Sequence, residues 1–141
     1  MNIEELYNII HQDTQINRLD LVNELARCPN LFSKYLGMYQ EEKLRLRVLK
    51  RKYDEMYKNR RDFYMGNASD EEYKEEMNER KALRQDVQIY LEADNKLQNQ
   101  VDKIEFQKCI VDMLERTVDN LKYRSKTIDS MIQLIRFENG A

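Results

Sequence analysis

A chain of 141 residues allows one domain or two small helical layers. Charged residues make up 35% of it, with only 3 Gly and 1 Pro, a balance that suits long solvated helices and disfavours a sheet with many turns. The net charge of −2 selects no partner, no apolar run approaches the length of a membrane span, and the opening Met1-Asn2-Ile3-Glu4-Glu5 carries no signal-peptide pattern.

Cys28 and Cys109 are far apart, with no CxxC spacing and no clustered histidine, so neither a disulfide framework nor a zinc site is expected. Buried, inert thiols in a reducing cytosol are the simpler reading. Hydrophobic residues reach 41%, enough for a core, yet a chain this small buries modest apolar area alone, and self-association would supply more.

In chain order, Asn2 can cap a short helix with Glu5 three residues on, and Ile3, Leu6, Tyr7 and Ile10 mark its apolar face. The polar stretch 11–15 should break it. Asn17 is expected to cap a second short helix with Leu19, Val22, Leu25 and Ala26 buried, and Cys28-Pro29-Asn30 to end it. From Leu31 to about Met65 only Gly37 weakens the pattern. Leu31, Tyr35, Met38, Leu46, Leu49, Tyr53, Met56, Tyr57 and Tyr64 fall on one apolar arc.

Gly66-Asn67 reads as the stop, and Ser69 with Glu72 as a capping box opening the return helix of a hairpin. A break is expected near Ala93-Asp94-Asn95. Beyond it a seven-residue repeat places Val111, Val118, Ser125 and Ile132 in one series and Leu114, Leu121, Ile128 and Ile135 in the other. Leu97 and Ile104 extend the first series backward; Gln100 and Gln107 weaken the second. The expected fold is therefore all-α, a helical hairpin bundle with a heptad-bearing C-terminal oligomerisation helix. Residues 1–92 would form the N-terminal helical region and 93–141 the associating one.

Residues 43–61 hold nine basic side chains against Asp54 and Glu55, a net of +7. At helical spacing Lys43, Arg47, Lys50, Arg51, Lys58 and Arg61 share about a third of the circumference, beside the apolar arc. Such a stripe can track phosphates and gain by counterion release. Phe63 and Tyr64, at the loop end, are the aromatic side chains best placed to stack on exposed bases, and Arg60 points toward them. The other tyrosines read as packing. A solvated face has the same look, and an anionic lipid surface or an acidic protein would also satisfy the charge. One-sided clustering in a nearly neutral chain favours nucleic acid.

The acidic run Asp70, Glu71, Glu72, Glu75, Glu76, Glu79 and Asp86 reads as solvated helix surface, or as a face toward the basic helix or a protein. His11 reads as a surface residue. No Walker A loop, GxSxG or metal triad occurs, so no catalytic residue, metal or cofactor is expected. The chain would act by binding.

The stretch Lys58-Asn59-Arg60-Arg61-Asp62-Phe63-Tyr64-Met65-Gly66, followed by an acidic capped turn and Tyr73, resembles the UvsY-like recombination mediators of T-even-type bacteriophages. The run Leu121-Lys122-Tyr123-Arg124 through Ile128 and Ile132 to Phe137-Glu138-Asn139-Gly140 agrees, as does the place of Leu91-Glu92-Ala93-Asp94. The resemblance covers roughly residue 30 to the end. It implies single-stranded DNA binding through a Lys-x-Arg element, here Lys58 and Arg60.

It further implies assembly through the C-terminal helix into a homo-oligomeric hexameric or heptameric ring. The contacts would come from Val111, Leu114, Val118, Leu121, Ile128, Ile132 and Ile135. The partners would be a RecA-like (UvsX-type) recombinase and a single-strand-binding protein, met in the cytoplasm of the phage-infected bacterial host and not at a membrane. A DNA-independent helical scaffold or chaperone is the competing reading, and a nuclease the other.

Overall fold

A computed structural model of the chain describes residues 1–76 and 86–140, apart from the side chains of residues 75 and 76. Every regular element in them is a helix. They are α1 (Ile3–Thr14), α2 (Leu21–Tyr64), α3 (Asp70–Glu76), α4 (Val87–Glu92), α5 (Asn95–Lys122) and α6 (Arg124–Glu138). Among the described residues no helix is long and apolar enough to cross a membrane. Part of the expected acidic face, and part of the span expected to be a return helix after Ser69, lie outside the described residues.

Local chemistry sets several of the ends. The Asn2 side chain accepts from the Glu4 N–H at 2.8 Å and caps α1. The helix then runs through His11 to Thr14, past the expected break, with the Thr14 hydroxyl bonded back to the Ile10 carbonyl. Asn17 caps a turn and not a helix: its side chain accepts from the Leu19 N–H, and α2 begins at Leu21. Leu19 and Val22, expected inside, are 97% and 74% exposed and Ala26 is exposed too: Leu19 lies in the turn before α2, and the buried seam of α2 runs through Leu21, Glu24 and Cys28 instead.

Proline 29 does not end a helix. α2 runs through it for 44 residues. Pro29 itself is exposed, while Leu21, Cys28, Leu31 and Tyr35 are all buried on the opposite seam. Burial on both sides of the proline holds the helix together despite the lost N–H and the crowding of the Leu25 carbonyl. Replacing Pro29 by alanine should therefore stabilise the chain, by up to about 3 kcal/mol, read as a higher urea midpoint.

The contacts fall into two units. The first comprises residues 1–44 and 108–141, the second residues 45–107, since α2 and α5 each contribute to both. The α4–α5 break, where a regional boundary was expected, thus lies inside the second unit. In the first, Leu6, Leu31, Tyr35, Ile110, Leu114, Val118 and Leu121 form one buried cluster, and Leu21, Cys28 and Ile128 another. Cys109 is exposed, against the expectation of two buried thiols.

A buried ion pair completes this unit. Arg124 meets Glu24 at 3.0 Å, and the same guanidinium donates to the carbonyls of Thr14 and Gln15, satisfying the C-terminal end of α1. Turning Arg124 inward breaks the continuous C-terminal helix expected from the heptads, at Tyr123. The inward slot passes from Leu121 to Arg124 and Ile128, leaving Ser125 exposed. Elsewhere in the unit Asp13 accepts from Lys34 at 2.6 Å and from Tyr35 at 2.7 Å. The Lys34 and Tyr35 hydrogen bonds hold its carboxyl below the usual carboxylate range.

Candidate nucleic-acid interface

The second half of α2 carries the basic residues. Leu46, Leu49, Tyr53, Met56 and Tyr57 are half-buried, and Tyr64 is buried, so the apolar arc read from the sequence is the packed side of this segment. The helix stops as Gly66 requires. Its φ of 87° is left-handed, the Gly66 N–H bonds the Phe63 carbonyl, and the Asn67 N–H reaches the Asp62 carbonyl, the two bonds of a Schellman cap. Ser69 Oγ then accepts from the Glu72 N–H and opens α3.

Fixing the arc inward turns the stripe outward. Arg47, Lys50, Arg51, Lys58 and Arg61 of the second unit are all exposed, and so is Lys43 in the first. Among the described residues no carboxylate pairs with any of them. Unneutralised, the five of the second unit form a cationic track along its part of α2, free to meet a polyanion.

Arg60, Phe63 and Tyr64 are placed differently from the expected phosphate and base contacts. Phe63 is fully buried, and Arg60 and Tyr64 are 8% and 9% exposed. Arg60 Nε donates to Asp94 Oδ2 at 2.7 Å, its guanidinium lies 4.2 Å from the Phe63 ring centre, and the Tyr64 hydroxyl donates to the same Asp94 oxygen at 2.6 Å. The cause is position: Arg60 follows Tyr53 and Met56 along the inward seam, where a side chain must be buried. In this arrangement the three residues hold the end of the basic helix in place.

Asp94 does two jobs at once. Its other oxygen accepts from the Leu97 N–H at 3.0 Å, capping α5 at the break anticipated near Ala93-Asp94-Asn95. Burial alone would raise its carboxyl, but the Tyr64 hydroxyl, the Leu97 N–H and Arg60 together outweigh burial and hold it below the usual carboxylate range. Burial and then the Asp94 hydrogen bond push the Tyr64 phenol up. Around this network Tyr73 stacks on Phe63 and bonds its carbonyl, and Tyr90 stacks on Tyr64.

Sequence reasoning did not single out Asp94 as an ion partner, since Arg60 lies 34 residues away. It also set Gln100 and Gln107 aside as weak heptad positions. Both are buried, and Gln100 donates to the Leu49 carbonyl at 3.0 Å. A polar residue on a heptad slot was the available signal.

Of the expected oligomerisation residues, Leu114, Val118, Leu121 and Ile128 are buried within the chain, and Val111 and Ile132 are half-buried. Ile135 is exposed. Beside it α6 presents Leu134 and Phe137, 57% and 80% exposed, apolar side chains that the chain itself does not cover.

Against known proteins, residues 9–141 match a family model described as recombination, repair and ssDNA binding protein UvsY. Crystal structures of the bacteriophage T4 recombination mediator protein UvsY share the fold. One has a TM-score of 0.81 at 20% identity, covering 98% of this chain and 99% of that one. A second has a TM-score of 0.81 at 22% identity, covering 99% and 98%, and a third 0.79 at 21%, covering 95% and 98%. No curated protein sequence matches significantly.

Proposed function

We propose, for a chain that belongs to the UvsY family of recombination, repair and ssDNA-binding proteins, that it acts as a recombination mediator on single-stranded DNA through the outward stripe of α2. The observation that carries this reading is the row of exposed cations at Arg47, Lys50, Arg51, Lys58 and Arg61, none with an acidic partner among the described residues; Lys43, in the first unit, is exposed as well. A strand laid along them exchanges its condensed counterions for fixed charges. Arg60, Phe63 and Tyr64 contribute by fixing the helix end that carries Lys58 and Arg61.

The protein supplies binding energy and no chemical step. Several weak tracks displayed on one homo-oligomer, a hexameric or heptameric ring, hold a strand with far greater avidity than one. The strand is thereby taken from its single-strand-binding protein and presented to a RecA-like recombinase, in the cytoplasm of the infected bacterium. The exposed face of α6 supports association, because Leu134, Ile135 and Phe137 would lose water against a second copy of the chain. Changing both Leu134 and Phe137 to glutamate should lower the assembly mass in sedimentation while leaving helical content unchanged.

Titrating an oligonucleotide at rising salt tests the central reading. Log affinity for a single strand should fall linearly with log salt, with a slope of about −0.7 per neutralised phosphate. Absence of binding at low salt would favour a DNA-independent scaffold.

A further inference from the structure

We infer that Tyr90, on α4, is the side chain that stacks on a base of the bound strand. This rests on the single-strand reading above. With Phe63 and Tyr64 buried, the stripe needs another aromatic surface, and the contacts of α4 supply one. The Tyr57 hydroxyl meets Gln88 Oε1 at 3.5 Å, and the Tyr90 ring lies on the Tyr64 ring with centres 5.5 Å apart and planes 23° from parallel. These two contacts lay α4 along the flank of α2 that carries Tyr57 and Tyr64.

That flank borders the cations. At helical spacing Arg61 stands about 60° round from Tyr64, on the side away from the packed arc. One face of the Tyr90 ring is covered by Tyr64, yet the residue is 47% exposed, so the uncovered ring surface faces solvent. A base added there would extend a stack of two rings to three while its phosphate stays near Arg61. Phe106 is equally exposed, but its groove is lined by Asp102 as well as Lys103, so the charges beside it offset one another and give a phosphate no net attraction. Base–aromatic stacking tolerates any sequence, as a mediator requires.

The chain contains no tryptophan, so Tyr90→Trp places a single indole reporter at the site. In the full-length protein its fluorescence should be quenched by an oligothymidylate and not by an abasic strand of the same length and charge. Tyr90→Leu, which keeps an apolar cover on Tyr64, should bind the base-bearing strand about tenfold more weakly and the abasic strand unchanged. Equal quenching by both strands, or an equal effect of Tyr90→Leu on both, would overturn the stacking role while leaving the cationic track in place. A change in assembly mass with unaltered DNA affinity would make Tyr90 a protein contact and also overturn it. If the unsubstituted chain binds neither strand, the single-strand reading fails and this inference with it.

Discussion

Asp94→Asn is expected to destabilise the chain by about 3–5 kcal/mol, because it removes the carboxylate charge that the buried Arg60 guanidinium meets at 2.7 Å. The measurement is a urea unfolding curve at neutral pH. The size follows from the site: Asp94 is 4% exposed, serves Arg60 and Tyr64 through one oxygen, and caps α5 through the other. Its pH dependence has a definite sign. The folded carboxyl sits below its unfolded value of about 3.9, so its contribution is complete above that value and fades as pH falls through the lower folded one. Asp13, also lowered, adds to the same acid loss. The unsubstituted protein should therefore lose stability between about pH 5 and pH 2 more steeply than Asp94→Asn does.

Replacing Arg47, Lys50, Arg51, Lys58 and Arg61 together by alanine should weaken single-strand binding by roughly a thousandfold near 0.15 M salt. This corresponds to about fourfold per lost phosphate contact. The salt slope should flatten in step, by about 0.7 for each contact removed. Helical content and unfolding midpoint should hardly move, since all five side chains are exposed and none has an acidic partner among the described residues. Arg60→Ala should behave oppositely, losing stability first and affinity only as a consequence. The contrast between neighbouring arginines, at positions 60 and 61, separates a folding role from a binding role within one turn of helix. An affinity unchanged after five charges are removed would place the strand elsewhere on the molecule.

Periodicity made most of this legible. The apolar arc from Leu31 to Tyr64 packs as spaced, because side-chain direction on a helix follows from position alone. Gly66, Ser69 and Asp94 mark real ends, since each acts through bonds to backbone only a few residues away. Errors came where distant residues overrule local preference. Pro29 stays in a helix because the seam on either side of it is buried. Arg60 reads as a surface charge until a carboxylate 34 residues away is brought to it.

The heptads after residue 95 carried a different ambiguity. A seam of Val, Leu and Ile looks the same whether its partner is the same chain or another, and here Leu114, Val118 and Leu121 found theirs within the chain. The family resemblance pointed to the loop-proximal end of the basic helix, at Lys58 and Arg60. It named Arg60 for its charge, whereas burial decides what that charge meets.

The bond from Arg124 to the carbonyls of Thr14 and Gln15 has a kinetic side. These groups are 110 and 109 residues apart in the chain, so α1 acquires its C-terminal cap only after almost the whole polypeptide has been gathered. A 12-residue helix is marginal in water by itself. α1 should therefore gain its full stability only once the α5–α6 turn is in place. Replacing Arg124 by methionine is accordingly expected to raise amide exchange in α1 and at the α5–α6 turn together.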